Sequence, residues 1–97
     1  MKDKLRSQPL DTLFNAILSL ESVDECYDFF EDLCTVTELK AISQRFNVAK
    51  LLLEKKVYND IVEETGASTA TISRVNRALS FGNDGYKLAL DRISKNE

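Results

Sequence analysis

Ninety-seven residues suffice for one domain with a modest core, and 43% hydrophobic with 30% charged residues is the balance of an ordinary soluble protein. With no His and two Cys, neither a common zinc site nor a His-based catalytic dyad can be assembled, so the expectation is a non-enzyme without metal or cofactor. The net charge of −3 argues superficially against nucleic acid, but residues 1–34 balance at −5, residues 35–81 at +2 and residues 82–97 at zero. Positive charge therefore collects in the middle of the chain, where phosphate contacts would need it.

Residues 1–6 read as a frayed polar start. Ser7 and Pro9 then open a helix, because Pro in the first turn gives up an N–H that has no partner there anyway. Leu10, Leu13, Phe14, Ile17 and Leu18 follow at i, i+3, i+4, i+7 and i+8, an amphipathic stripe. Glu21 and Ser22 end it, and Ser22–Glu25 is a capping box in which each side chain satisfies the other's backbone donor. The next helix sets Cys26, Phe29, Phe30 and Leu33 on one face, with Asp24, Glu25, Asp28, Glu31 and Asp32 mostly outside. Phosphate would repel that acidic face, so it should point away from any DNA. Cys26 and Cys34 lie in helical context with no export signal, which predicts reduced, core-facing thiols in a cytoplasm.

Thr35–Glu38 is a second capping box and opens the longest helix, about Val36 to Lys55. Leu39, Ile42, Phe46, Ala49 and Leu53 form its stripe, while Val48, Leu51 and Leu52 add apolar surface beyond it. A helix wet on one side needs one stripe, so this one is either centrally buried or meets another chain. Lys55 and Lys56 suit its negative dipole end, and Val57–Asn59 is a joint.

Asp60–Leu79 reads as two short helices hinged at Gly66. Ile61 and Val62 face inward from the first, and Gly66 supplies the positive φ of a tight helix exit. Ala67 turns the corner, and Ser68 caps a second helix whose Ile72, Val75 and Leu79 share one face. Its opposite face carries Thr69, Ala70, Ser73, Arg74 and Arg77. Small, hydroxylated and guanidinium side chains in that place are the pattern of a helix-turn-helix, about residues 58–79, whose second helix reads base edges. The DNA-contact candidates are Ser68, Thr69, Ala70, Thr71, Ser73, Arg74 and Arg77; ordinary helix N-terminal chemistry also favours the hydroxyls, and Thr71 has a ligand pocket as its alternative. Arg77, a turn and a half into the helix, is placed for phosphate rather than a base. Arg74 is open to three roles: phosphate contact, pocket ligand or partner of Glu63 or Glu64. Ser80–Gly85 is a Gly/Asn-rich connector, and Tyr86, Ala89, Leu90 and Ile93 give a last amphipathic helix. The total is six helices, no strand and no membrane span. No hairpin closes the first two helices into a compact monomer, which predicts packing against a second copy through residues of about 8–55.

Thr35, Gln44-Arg45, the run Thr65–Arg74 and the pair Gly85-Tyr86 together resemble the Trp repressor superfamily, and within it the YerC/YecD-type branch of Trp repressor-related proteins. The resemblance implies one all-α domain over residues 1–97, an intertwined homodimer whose N-terminal helices share a core. It implies a transcriptional repressor with two reading heads about one DNA turn apart, roughly 34 Å. In the family's namesake, tryptophan lies between the long helix and the recognition helix. Thr35, Arg45 and Arg74 match positions of that pocket, although for Arg45 an intramolecular salt bridge is the competing role. Val75 and Ala78 stand where the pocket has glycine and serine, so the floor under the indole is filled and an acceptor for the amino group is lost. These departures disfavour tryptophan and leave room for another small-molecule effector. The competing function is a protein-interaction module that kept the helix-turn-helix without DNA binding; an apolar outer face on the second helix would have favoured it.

Overall fold

A computed structural model describes residues 2–96, with side-chain surroundings from residue 4 onward. The chain is helical throughout these residues: α1 (Lys2–Leu5), α2 (Gln8–Leu18), α3 (Val23–Leu33), α4 (Val36–Leu53), α5 (Tyr58–Thr65), α6 (Thr69–Phe81) and α7 (Gly85–Lys95). The six expected helices are α2 to α7. The start expected to fray instead forms the single turn α1, with Met1 outside the described residues. The polar tail coils as well, to Lys95, and Glu97 lies outside the described residues.

Contacts divide the chain into two compact units, Met1–Val36 and Thr37–Glu97. In the first, Ser7 caps α2 by accepting from the Leu10 N–H at 3.3 Å, with Pro9 in the first turn as expected. The capping box of α3 forms by halves. Ser22 Oγ accepts from the Glu25 N–H at 3.1 Å, but Glu25 Oε1 accepts from the N–H of Glu21, at 2.8 Å, rather than from Ser22. The longer Glu side chain reaches one residue further out and satisfies the donor where the chain enters the helix. Phe29 and Phe30 meet edge to face, ring centroids 5.3 Å apart. No residue of α2 or α3 is buried. Cys26 and Cys34 are free thiols, half-buried rather than core-facing.

The second unit holds the core: Val48 and Ala49 of α4, Ile61 of α5, Ala67 of the turn, and Ile72, Val75 and Leu79 of α6. Leu51, Leu52, Val62, Tyr86 and Leu90 pack around it. Ile61 and Ile72 are fully buried, each contributing about 1.5–3 kcal/mol of hydrophobic stabilisation. The buried face of α4 differs from the expected stripe. It centres on Val48 and Ala49, while Ile42 and Leu53 stay exposed in the single chain. The helix is apolar on more than one side, and α5 and α6 cover only one of them. It also stops earlier than expected, at Leu53. Lys55 takes a left-handed conformation (φ 67°), the Lys56 N–H reaches the Leu51 carbonyl at 3.1 Å and the Lys55 N–H that of Leu52 at 3.0 Å. That is a Schellman closure made without glycine. Among the described residues no helix is long and apolar enough to cross a membrane.

Candidate nucleic-acid interface

The α5–turn–α6 stretch forms as its residues dictate. Gly66 closes α5 at φ 71°, its N–H donating to the Val62 carbonyl at 2.8 Å. A Cβ on Gly66 would meet nothing within 4 Å, so the demand there is on backbone conformation and not on space. Ala67 buries its methyl group in the core. Ser68 caps α6, its Oγ accepting from the Thr71 N–H at 3.1 Å and donating to Thr71 Oγ1 at 3.1 Å. Its hydroxyl is thus committed at both ends to shaping the helix start.

A second clamp holds the corner, and sequence periodicity gives no sign of it. Thr65 Oγ1 donates to the Ile61 carbonyl at 2.7 Å and accepts the Ala67 N–H at 3.1 Å. The Thr65 carbonyl in turn accepts from Gln44 Nε2 of α4 at 3.1 Å. One side chain satisfies the helix end and the turn, while its own carbonyl ties the corner to the long helix. In the sequence Thr65 marks only a helix end and, with Gln44, part of a family resemblance.

With Ile72, Val75 and Leu79 buried, α6 turns Thr69, Ala70, Ser73, Arg74 and Arg77 outward, all exposed; Thr71 is half-buried. This is the division read from the sequence. Among the described residues no carboxylate lies within ion-pair distance of Arg45, Arg74 or Arg77, so the Arg74 pairing with Glu63 or Glu64 and the Arg45 salt bridge are not formed. The ion pairs that do form are exposed ones on α7, Lys87–Asp84 at 3.7 Å and Lys95–Asp91 at 3.1 Å, of the kind that contribute little. The Arg77 guanidinium lies over the Phe81 ring, 6.0 Å from its centroid.

Each effector candidate has its own surroundings. Thr35 is exposed just before α4, Arg45 is half-buried on α4, and Arg74 is exposed on α6. A recess of about 480 Å³ does lie in this unit, walled by Phe46, Ala78, Leu79 and the Gly82–Tyr86 segment, and none of the three lines it. Phe46 and Tyr86 face each other across 6.2 Å. Gly82 is required at its edge, because a Cβ there would collide with the Ala78 carbonyl. Val75 is 1% exposed: its side chain belongs to the core. Among the described residues no group of His, Cys, Asp and Glu could hold a metal ion.

The chain matches the family model described as Trp repressor protein over residues 8–94. It is 57% identical over 95 residues to the uncharacterized protein YerC of Bacillus subtilis (strain 168), covering 98% of this chain and 91% of YerC. Among solved structures, a TrpR-like protein from Eubacterium eligens ATCC 27750 superposes at a TM-score of 0.92, with 59% identity and 95% of each chain covered. One from Staphylococcus aureus gives the same TM-score of 0.92, with 55% identity over 95% of this chain and 92% of that one.

Proposed function

From a chain that belongs to the Trp repressor family, whose fold is a helix-turn-helix regulator's and not an enzyme's, we propose a sequence-specific DNA-binding repressor of transcription that acts as a homodimer. The observation that carries this reading is the exposed face of α6. Ala70, Ser73, Arg74 and Arg77 stand outward on a helix whose other side is locked into the core. A reading helix needs that combination: its tip must meet base edges at a fixed angle, so its root must not move. The Gln44–Thr65 bond and the capped start at Ser68 supply the rigidity.

Thr69, Ala70, Thr71 and Ser73 then make the base and phosphate contacts near the helix start, Ser68 acts through the cap, and Arg74 and Arg77 neutralise phosphate. The local balance of +2 over residues 35–81 supports this assignment against the overall −3. The free guanidinium of Arg74 leaves it available to phosphate or to an effector. An effector, where one acts, is a small molecule other than tryptophan, with Thr35 and Arg45 as its further contacts.

Selection from a pool of random duplex DNA at two salt concentrations tests the function. An enriched sequence, and affinity that falls as salt rises, is the expected result. No enrichment with no salt dependence would overturn the DNA-binding reading and leave the protein-interaction module in its place.

A further inference from the structure

Phe81 is the least buried large apolar side chain in the second unit, 82% exposed, and it sits at the last position of α6. An isolated surface apolar residue needs no explanation in itself. This one has a partner. Ala70, Ser73, Arg74, Arg77 and Phe81 fall at i, i+3, i+4, i+7 and i+11, so Phe81 continues the outward stripe by one more turn. Its ring lies under the guanidinium of Arg77, 6.0 Å from centroid to carbon, and no carboxylate of the described residues competes for that charge. The sequence suggests a connector from Ser80, but it begins only at Gly82, and the two further helical residues are what bring the ring within reach of Arg77.

We propose that Phe81 is a positioning residue for DNA binding: its ring holds the Arg77 guanidinium on the outer stripe of α6, ordered for a phosphate oxygen before DNA arrives. A free arginine gives up rotamer freedom when it grips phosphate, and a side chain already resting on a ring gives up less. A ring attracts the cation through its π face and takes none of the guanidinium's N–H donors, which stay available to phosphate. Tyr in place of Phe preserves the interaction, and an aliphatic side chain of similar bulk does not. The role rests on the DNA-binding reading above.

The test is a double-mutant cycle on binding to a mixed-sequence duplex, titrated at two salt concentrations, with wild type, Arg77→Ala, Phe81→Ala, Phe81→Tyr, Phe81→Leu and Arg77→Ala/Phe81→Ala. Arg77→Ala should reduce the salt slope by about one. Phe81→Ala and Phe81→Leu should weaken binding about two- to fivefold with the slope kept, since the charge remains. Phe81→Tyr should bind as wild type, and Phe81→Ala should cost nothing further once Arg77 is gone. An equal loss from Phe81→Ala in both backgrounds overturns the positioning role, because the ring would then act on DNA or on the fold directly. So does wild-type affinity for Phe81→Ala beside a weakened Arg77→Ala. Wild-type protein that binds no duplex at either salt concentration would instead remove the DNA-binding reading itself.

Discussion

At the scale of single residues, Thr65 does more than its composition class suggests. A threonine at the end of an eight-residue helix passes for an ordinary surface residue, yet its hydroxyl bonds the Ile61 carbonyl and the Ala67 N–H, and its carbonyl holds Gln44. Thr65→Val keeps the shape and removes the hydroxyl, leaving the Ala67 N–H without that partner beside a methyl group buried in the core. The expected loss is about 1–3 kcal/mol, read as a lower urea midpoint with unchanged slope. Thr65→Ser, which retains the oxygen, should recover most of it. A valine variant as stable as wild type would show that water replaces the hydroxyl at no cost. Gly66 is the contrasting case: its φ of 71° was legible in the sequence, because helix exits of this kind favour the residue without a Cβ. A hydrogen bond from a side chain to a backbone carbonyl distant in sequence leaves no periodicity, which is why Gln44–Thr65 was not legible in that way.

At the scale of the element, α6 followed from spacing alone. Ile72, Val75 and Leu79 at three and four residues apart are the buried face, and the polar residues between them are the outer one. The same arithmetic does not decide the buried side of α4, where Ala49 of the stripe and Val48 beyond it are both in the core. That helix carries apolar residues on more than one side, and only tertiary packing decides which side α5 and α6 cover. The end of α6 also lies two residues beyond Leu79, since Ser-Phe before Gly82 has no strong preference for stopping. A functional consequence follows for Val75. It is 1% exposed, and the family resemblance places it where the tryptophan pocket has a glycine, so a side chain stands where the resemblance implies an open floor. Free tryptophan titrated into the protein in a calorimeter should therefore give no binding heat beyond dilution. A saturable isotherm would mean that the core opens at Val75 and that the effector assignment is wrong.

At the scale of the whole molecule, the question is what completes the cover of apolar stripes that the single chain leaves part-exposed. Neither α2 nor α3 has a buried residue, and Phe14 is 53% and Leu18 81% exposed. On α4, Ile42 and Leu53 are exposed as well. Scattered exposed apolar residues are normal, but two amphipathic helices whose apolar faces are at best half-buried have less packing than ordinarily stabilises a helix in water. In the proposed homodimer a second copy is the partner for these surfaces. Sedimentation should then give twice the 11.0 kDa mass of the chain at micromolar concentration. The melting temperature should rise with protein concentration, since stability of an obligate dimer is inseparable from association. Phe14→Glu places a charge within the α2 stripe, and a buried unpaired carboxylate is costly. It should shift the protein towards the monomer mass and lower the melting temperature. The change must reach α2 without altering α5 and α6 directly, so weaker binding by this variant to a two-site operator, with no loss of helix content, is the expected signature. A wild-type monomer near 11.0 kDa with a concentration-independent melting temperature would refute the homodimer.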